Sequence, residues 1–293
     1  MSKRFRHWTS AVPSRVKLTR LLRYPSKLKK VVGDPRTRVG TFFDSLRELS
    51  TRHEQGSSLT SREYRVYSQN GEDGIIADIV RRVGPSFPRT FVEFGAGSAL
   101  AGNTVFLADV LGWRGLYIEA AEDDFATLEW KYQSTPAVTT MRSFVYPDNI
   151  NQLVTAAGLG DDIGVFSIDV DGNDYYIWKA LQVRPVLVIV EYNGAIALDE
   201  ALVQPFSDEP WDGTDYYGAS LGALEALGTT LGYTLVYTDL TGTNAFFVRN
   251  DAIGGFQEVL PAPRRVVNHE MLGLRHPADR RGRQYASPPR EQE

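Results

Sequence analysis

The side chains of this sequence that could do chemistry are mostly carboxylates that follow apolar runs. Two largely apolar runs, 164–168 and 186–190, each end in oxygen-bearing side chains. Those side chains are Asp169, Asp171 and Asp174 after the first run, and Glu191 and Asn193 after the second. Carboxylate and amide oxygens are typical of a Mg²⁺ or Ca²⁺ site, and a carboxylate whose pKa is raised by burial can accept a proton.

The residue types leave three interpretations of this acidic group open. In the first, a metal ion such as Mg²⁺ is bound by Asp169 together with Glu191 or Asn193. In the second, no metal takes part, and Asp169, Asp171 or Asp174 accepts a hydroxyl proton or holds hydroxyl groups. In the third, the acids belong to a solvated turn, and Asp174 caps the helix that follows it.

A glycine loop forms a second candidate site. Gly95 and Gly97 follow the apolar run 90–94, and Glu93 is two residues before the first glycine. Glycines at the carboxyl end of a strand let the backbone approach a ligand. The Glu93 carboxylate suits the ammonium group of S-adenosylmethionine. The segment lacks the third glycine of a dinucleotide fingerprint, which disfavours a nicotinamide cofactor, and a tight turn without a ligand is the other alternative.

Glu119 completes this candidate cofactor site. It ends the next apolar run, 24 residues after Gly95. An acid at this position accepts hydrogen bonds from both ribose hydroxyls of a bound cofactor. We therefore expect Glu119 to contact the ribose.

The elements that must position these side chains alternate between strands and helices. The pattern predicts strands at 90–94, 115–119, 137–144, 164–169, 186–191, 233–238 and 245–248. It predicts helices at 72–83, 103–111, 123–133, 149–157, 175–181 and 221–231. This order indicates an α/β fold with a Rossmann-like, doubly wound seven-stranded sheet, mostly parallel with one antiparallel strand from a C-terminal hairpin. Such a sheet would bring Asp169 and Glu191 or Asn193 to one edge.

Composition divides the chain into three parts. Residues 1–60 are predicted to be a basic N-terminal extension, 61–262 the α/β domain, and 263–293 an Arg/Pro-rich C-terminal tail. Residues 1–38 carry twelve Lys and Arg against one acid, whereas the whole chain has 32 basic and 36 acidic residues. The domain is therefore acidic, which argues against nucleic-acid binding, and the basic extension is suited to peripheral contact with an anionic membrane.

The absence of Cys limits the possible chemistry. The chain has no Cys and only four His, which excludes disulfides and thiol nucleophiles and disfavours a His-rich metal site. We expect a cytoplasmic protein that is at most peripheral to the membrane, because no run approaches the ~20 apolar residues of a membrane span. The oligomeric state does not follow from the sequence.

Residues 204–217, here called the aromatic loop, lie between the last predicted parallel strand and the last predicted helix. The loop carries Trp211, Tyr216 and Tyr217. These rings suit stacking on a sugar or covering a site, and an ordinary surface loop with packed aromatics is equally compatible with the sequence.

Four ordered blocks of sequence resemble those of a known family. The blocks are Tyr67-Ser68-Gln69-Asn70-Gly71-Glu72-Asp73, Phe91-Val92-Glu93-Phe94-Gly95-Ala96-Gly97, Gly112-Trp113-Arg114-Gly115-Leu116-Tyr117-Ile118-Glu119 and Ser167-Ile168-Asp169-Val170-Asp171-Gly172-Asn173-Asp174-Tyr175. Across residues 64–250 the chain resembles the FkbM-type methyltransferases. The resemblance implies a class I methyltransferase fold, S-adenosylmethionine as methyl donor, and a hydroxyl acceptor on a sugar, polysaccharide, glycolipid or secondary metabolite.

The resemblance also implies roles for single residues. Gln69, Gly71 and Glu72 would form part of the cofactor entrance, and Asn103 would lie in the helix that faces the cofactor. Together with the contacts inferred above, the candidate cofactor-binding residues are Gln69, Gly71, Glu72, Glu93, Gly95, Gly97, Asn103, Glu119 and Asp169.

The leading hypothesis is an S-adenosylmethionine-dependent O-methyltransferase with a small-molecule or glycan substrate. In it Asp169, Asp171 and Asp174 are the candidate catalytic residues, and Mg²⁺ is an optional cofactor. The alternatives are a non-catalytic, methyltransferase-like module that binds glycans or scaffolds an assembly, and a nicotinamide-dependent oxidoreductase. Many members of the family have Asp-Val-Glu-Gly where this chain has Asp169-Val170-Asp171-Gly172, so the resemblance does not identify the acceptor.

Overall fold

The structure is a computed structural model, and it describes residues 59–239, 241–256 and 276–289. The basic extension predicted for residues 1–60 lies almost wholly outside the described residues, and its predicted membrane contact does too. Within the described ranges, no helix has the length and apolar character that crossing a membrane requires.

Among the described residues, seven strands form one sheet in the order β3-β2-β1-β4-β5-β7-β6. The strands are β1 (Thr90–Phe94), β2 (Arg114–Glu119), β3 (Val138–Arg142), β4 (Val165–Ile168), β5 (Leu187–Glu191), β6 (Tyr233–Thr238) and β7 (Asn244–Arg249). The first five strands pair in parallel, and β7 is antiparallel to both of its neighbours, β5 and β6. The predicted doubly wound sheet with one antiparallel strand from the hairpin is confirmed.

Helices connect the strands at close to the predicted positions. They are α1 (Glu72–Val83), α2 (Val105–Asp109), α3 (Glu122–Tyr132), α4 (Ile150–Ala156), α5 (Asp174–Ala180) and α6 (Leu221–Thr230), with short 3₁₀ helices at Leu59–Arg62 and Asn250–Gly255. The largest difference is at α2, which the sequence predicts from residue 103. The helix starts only at Val105, after a turn in which the backbone N–H groups of Asn103 and Thr104 donate to the carboxylate of Glu93 on β1.

Two hydrophobic cores lie on the two faces of the sheet. Along β1, Phe91 packs in one core with Ile75 and Ile79 of α1, whereas Val92 and Phe94 pack in the other. This alternation follows from the strand period of two, and the isoleucines share one face of α1 because of their spacing along the helix. Since both faces of the sheet are covered, the carboxyl ends of the parallel strands are where polar side chains can converge.

Gly228 marks the closest packing of α6 on the sheet. A Cβ at this position would lie 2.9 Å from atoms of both Trp178 and Phe247, and both rings are fully buried. We expect Gly228→Ala to lower the midpoint of thermal unfolding, although alanine favours a helix over glycine by about 1 kcal/mol. The exposed neighbour Thr229 offers a control, and Thr229→Ala should leave the midpoint nearly unchanged. Scanning calorimetry of both variants checks this, and an unchanged midpoint for Gly228→Ala would contradict the described packing.

Candidate functional site

The glycine loop brings the ends of β1 and β4 into contact. Gly95, Gly97 and Ala99 have left-handed backbones, with φ of 61°, 52° and 48°. At Gly95 a side chain is also excluded by space, because a Cβ would lie 1.8 Å from the carbonyl oxygen of Asp169. At Gly97 a Cβ would meet nothing within 4 Å. The loop therefore leaves an open backbone surface beside Gly97, which suits the close approach of a ligand.

Glu119 ends β2 directly beside this loop. Its carboxylate accepts hydrogen bonds from the backbone N–H groups of Gly97 and Ala121, each at 2.7 Å. Parallel pairing sets Phe94 opposite Ile118 and so aligns the two strand ends. The structure thus brings Glu119 to the glycine loop, as the sequence indicated, and its contact with a ribose stays a prediction.

Glu93 is buried and its carboxylate is engaged by the protein. It accepts hydrogen bonds from the backbone N–H groups of Asn103 (2.9 Å) and Thr104 (3.0 Å) and from the Thr104 hydroxyl (2.5 Å). Burial is the largest cause of a raised pKa at Glu93, and the Thr104 hydrogen bonds oppose it. The Asn103 amide in turn donates to the Ser167 hydroxyl on β4 at 3.1 Å. In the described structure, Glu93 therefore orders the turn before α2. The sequence did not predict its hydrogen bonds with Thr104.

The residues assigned to the cofactor entrance lie at the start of α1. Gly71 precedes the helix with φ of 103°, and Gln69 is exposed in the preceding loop. Glu72 is fully buried, and its carboxylate accepts hydrogen bonds from the Asn70 backbone N–H (2.7 Å) and the Asn244 amide (2.8 Å). Glu72 thus connects α1 to the start of β7, and burial raises its pKa.

Three carboxylates meet at the ends of β4 and β5. Asp169, Asp171 and Glu191 each offer an oxygen, and these oxygens all lie within 4.8 Å of one another. We call these three residues the acidic cluster. Asp171 has a left-handed backbone with φ of 55°, a conformation that costs free energy in a residue with a side chain. The Oε2 atom of Glu191 is shielded from solvent and has no hydrogen-bond partner among the described residues.

Asp174 lies outside this cluster. Its carboxylate accepts hydrogen bonds from the backbone N–H groups of Val170 and Gly172, both at 3.0 Å. Burial raises the pKa of Asp174 to about 6, and the backbone hydrogen bonds oppose that rise. The side chain thus holds the loop between β4 and α5 in shape. Asp174 is buried and is the first residue of α5, whose N-cap is Asn173, so the solvated turn with Asp174 as helix cap is not observed.

Asn193, the other predicted metal ligand, has its amide fully engaged. Its Nδ2 atom donates to the carbonyl oxygens of Asp215 and Tyr217 and to the Tyr285 hydroxyl, each at 2.9 Å. Its Oδ1 atom accepts a hydrogen bond from the Ala195 backbone N–H at 2.9 Å. Asn193 therefore ties the end of β5 to the aromatic loop and to residues near the C-terminus.

All three carboxyl groups of the acidic cluster have raised pKa values. Burial, followed by the charges of Asp171 and Asp174, raises the pKa of Asp169 well above its ordinary value. Burial, followed by the charge of Asp169, does the same at Glu191. Asp171 is the exposed member of the cluster. Partial loss of hydration raises its pKa, whereas the charge of His276 lowers it. Carboxylates with raised pKa values hold protons more tightly, which is a property of general bases that work near neutral pH.

Three rings lie in mutual contact next to the acidic cluster. The His276 ring packs edge-on against the rings of Trp211 and Tyr217, with ring centroids 4.8 and 5.8 Å apart. The centroids of the Trp211 and Tyr217 rings are 5.6 Å apart. Burial and then the charge of Glu191 raise the pKa of Tyr217, with Asp169 and Asp171 contributing too. The sequence singled out Trp211 and Tyr217 but assigned His276 only to a tail, because no local pattern shows where a distant segment packs.

No protein-family model matches the chain, and no curated protein matches it. The resemblance to the FkbM-type methyltransferases is therefore not supported by a family match.

Several solved structures have a similar fold. The N-terminal domain of EvdMO1 with SAH bound is 16% identical over 59% of this chain and 79% of that chain, with a TM-score of 0.38. A SAM-dependent methyltransferase from Aquifex aeolicus is 12% identical over 59% of this chain and 87% of that chain, with a TM-score of 0.34. The CcbJ methyltransferase from Streptomyces caelestis is 14% identical over 59% of this chain and 93% of that chain, with a TM-score of 0.35. At such low identities and TM-scores, these likenesses carry no argument about what this chain binds or does.

The electrostatics of the acidic cluster predict how stability depends on pH. Because the native pKa of Glu191 is raised above its ordinary value of 4.5, the free energy of unfolding falls as pH rises from that value through the native pKa. We expect Glu191→Gln, measured in a chelating buffer at neutral pH, to raise the thermal midpoint by about 2–4 °C.

The same variant should show a weaker pH dependence of the midpoint than the wild type. Glu129→Gln is the matched control, since Glu129 is exposed on α3 and its charge should matter little. A lower midpoint for Glu191→Gln at neutral pH, measured by scanning calorimetry, would show that the Glu191 charge stabilises the fold and that the described burial is wrong.

Proposed function

We propose that this chain is an S-adenosylmethionine-dependent O-methyltransferase that acts on a hydroxyl of a sugar, polysaccharide, glycolipid or secondary metabolite. The observation that carries the proposal is the contact between Gly95 and the carbonyl of Asp169. It sets a glycine loop with a neighbouring acid, Glu119, against a cluster of carboxylates. A cofactor held on one side and a hydroxyl held on the other would then be adjacent, as a direct transfer between two bound molecules requires.

The residues on the cofactor side fit S-adenosylmethionine. The backbone beside Gly97 is open, and Glu119 supplies a carboxylate within reach of that opening. When bound, S-adenosylmethionine supplies an electrophilic methyl group on a positively charged sulfur. Glu119 would accept hydrogen bonds from the ribose hydroxyls in place of one of its present backbone partners. The engaged carboxylate of Glu93 would act through the Asn103–Thr104 turn rather than by a free oxygen.

The residues on the acceptor side suit a hydroxyl. Asp169 would take the hydroxyl proton as the oxygen forms its bond to the methyl carbon and the carbon–sulfur bond breaks, with the electron pair going to sulfur. The raised pKa of Asp169 matches this role, because a base works best when its pKa lies near the working pH. Trp211 and Tyr217 supply rings on which the apolar face of a sugar can stack. In this proposal Asp174 shapes the loop and does not transfer protons.

Cofactor binding tests the proposal directly. We expect the wild type to bind S-adenosylhomocysteine in titration calorimetry, and Glu119→Ala to weaken binding at least about tenfold through the lost charge-assisted hydrogen bonds. Glu122→Ala is the matched control. The Glu122 side chain is 79% exposed and forms a surface ion pair with Arg142, so its removal should leave binding unchanged.

Methyl transfer then separates the enzyme from the alternatives. Labelled S-adenosylmethionine is incubated with a panel of neutral methyl glycosides, and methylated product is identified by mass spectrometry. Binding without transfer to any acceptor favours the non-catalytic module. Affinity for a nicotinamide dinucleotide with none for S-adenosylhomocysteine favours the oxidoreductase.

A divalent cation is an optional part of this proposal. Asp169, Asp171 and Glu191 would hold it, because their oxygens lie within 4.8 Å of one another and the buried Glu191 Oε2 atom lacks a partner. All three are oxygen ligands, which suits Mg²⁺. Bound Mg²⁺ would lower the pKa of the acceptor hydroxyl.

Manganese binding tests the cation site. We expect the wild type to bind Mn²⁺, a stand-in for Mg²⁺ that paramagnetic resonance detects. We expect Glu191→Gln to bind it at least about tenfold more weakly, since one anionic ligand is lost. Methyl transfer should fall after chelation and return when Mg²⁺ is added back. Full transfer in chelator, with no Mn²⁺ bound, would remove the cation and leave Asp169 as a metal-free base.

A further inference from the structure

We infer that residues 276–289, here called the C-terminal segment, form one wall of the acceptor site, and that His276 contacts the acceptor. This inference rests on the proposed function and deepens it. It locates acceptor recognition in a segment that follows the α/β domain in sequence, rather than in the domain alone.

The C-terminal segment is anchored along its length. The backbones of Ala286 and Val203 exchange two hydrogen bonds, at 2.8 and 2.9 Å. The Tyr285 hydroxyl oxygen accepts two hydrogen bonds, one from Asn193 Nδ2 at 2.9 Å and one from the Tyr217 backbone N–H at 3.2 Å. One end of the segment is therefore fixed both to the aromatic loop and to the end of β5.

A second group of contacts holds the middle of the segment. The Arg283 guanidinium lies 2.9 Å from Asp212 and 3.0 Å from Asp279, and it lies over the Tyr216 ring at 4.4 Å. The Asp215 side chain accepts a hydrogen bond from the Asp279 backbone N–H at 2.7 Å. These contacts join the segment to the same loop that carries Trp211 and Tyr217.

The anchoring brings His276 to the acidic cluster. At the start of the segment, Pro277 directly follows His276, and its carbonyl oxygen accepts a hydrogen bond from the Asp215 backbone N–H at 2.9 Å. The imidazole packs edge-on against Trp211 and Tyr217. The same loop accepts hydrogen bonds from Asn193, two residues after Glu191, and from Asn173, two residues after Asp171. His276 is only partly buried, so a bound molecule can reach it.

The chemistry of this wall suits a polyhydroxylated ring. Trp211 and Tyr217 offer apolar ring surface, His276 adds a polar imidazole ring, and Asp171 offers an acceptor. Sugars present an apolar face of C–H groups and a rim of hydroxyls, and the wall matches both features. The hydrogen bonds of the segment described above go to the aromatic loop and the end of β5, not to the glycine loop. Substitutions in it should therefore affect the acceptor and spare the cofactor.

The test compares two variants in the full chain. His276→Ala is expected to lower kcat/KM about tenfold or more for the methyl glycosides that the wild type methylates, through a higher acceptor KM. Its affinity for S-adenosylhomocysteine should stay within about twofold of the wild type. Gln284→Ala is the matched control, because Gln284 is exposed on the same segment and its side chain donates to the carbonyl oxygen of Gly282, two residues before it.

A second variant guards against misfolding. His276→Asn keeps a polar group that can donate and accept, and it should recover part of the acceptor affinity, which a purely structural role of the ring would not produce. Unchanged acceptor kinetics in His276→Ala overturn the inference, and so does an equal loss of S-adenosylhomocysteine affinity, which would assign the segment to the fold or the cofactor side. Absence of methyl transfer by the wild type, with S-adenosylhomocysteine bound, contradicts the proposed function and removes the acceptor role with it.

Discussion

The close approach of Gly95 to the carbonyl of Asp169 is the contact on which the candidate site depends. Any side chain at Gly95 would have its Cβ 1.8 Å from that oxygen, and the φ of 61° is itself unfavourable for other residues. Because β1 and β4 are neighbours in the sheet, this contact sets the distance between the glycine loop and the acidic cluster. A larger residue at position 95 would push the glycine loop away from the acidic cluster and so disturb both.

Two kinds of carboxylate contrast among the residues that the structure describes. Glu93 and Asp174 each accept several hydrogen bonds from nearby backbone or hydroxyl groups and so order the loops before α2 and α5. Glu191 instead keeps a buried oxygen without such a partner and lies beside Asp169. A buried oxygen without a partner costs free energy, and Asp73 Oδ1 is another such atom. Glu191 differs from Asp73 because it lies beside Asp169 and Asp171, an arrangement more typical of a site than of a scaffold.

The aromatic loop and the C-terminal segment depend on each other. The loop supplies Trp211 and Tyr217, and the segment supplies His276 and the Tyr285 hydroxyl that bonds to Asn193. Their hydrogen bonds to the rest of the described chain include those of Asn193 after β5, of Val203, and of Asn173 and Tyr176 at the start of α5. Evolution can therefore change this wall without changing the sheet, which is how one fold comes to accept different substrates.

The sequence by itself determined the sheet, the helices and the positions of the strand ends, since hydrophobic period and turn residues are local signals. It also placed Glu119 near Gly97 and Asp169 near Glu191, because parallel strands align their carboxyl ends. Only the tertiary structure decided which carboxylates are engaged, as with Glu93 and Asp174, and which are not. It alone brought His276 beside the acidic cluster, because contacts between segments distant in sequence follow from packing geometry and leave no periodic trace in either segment.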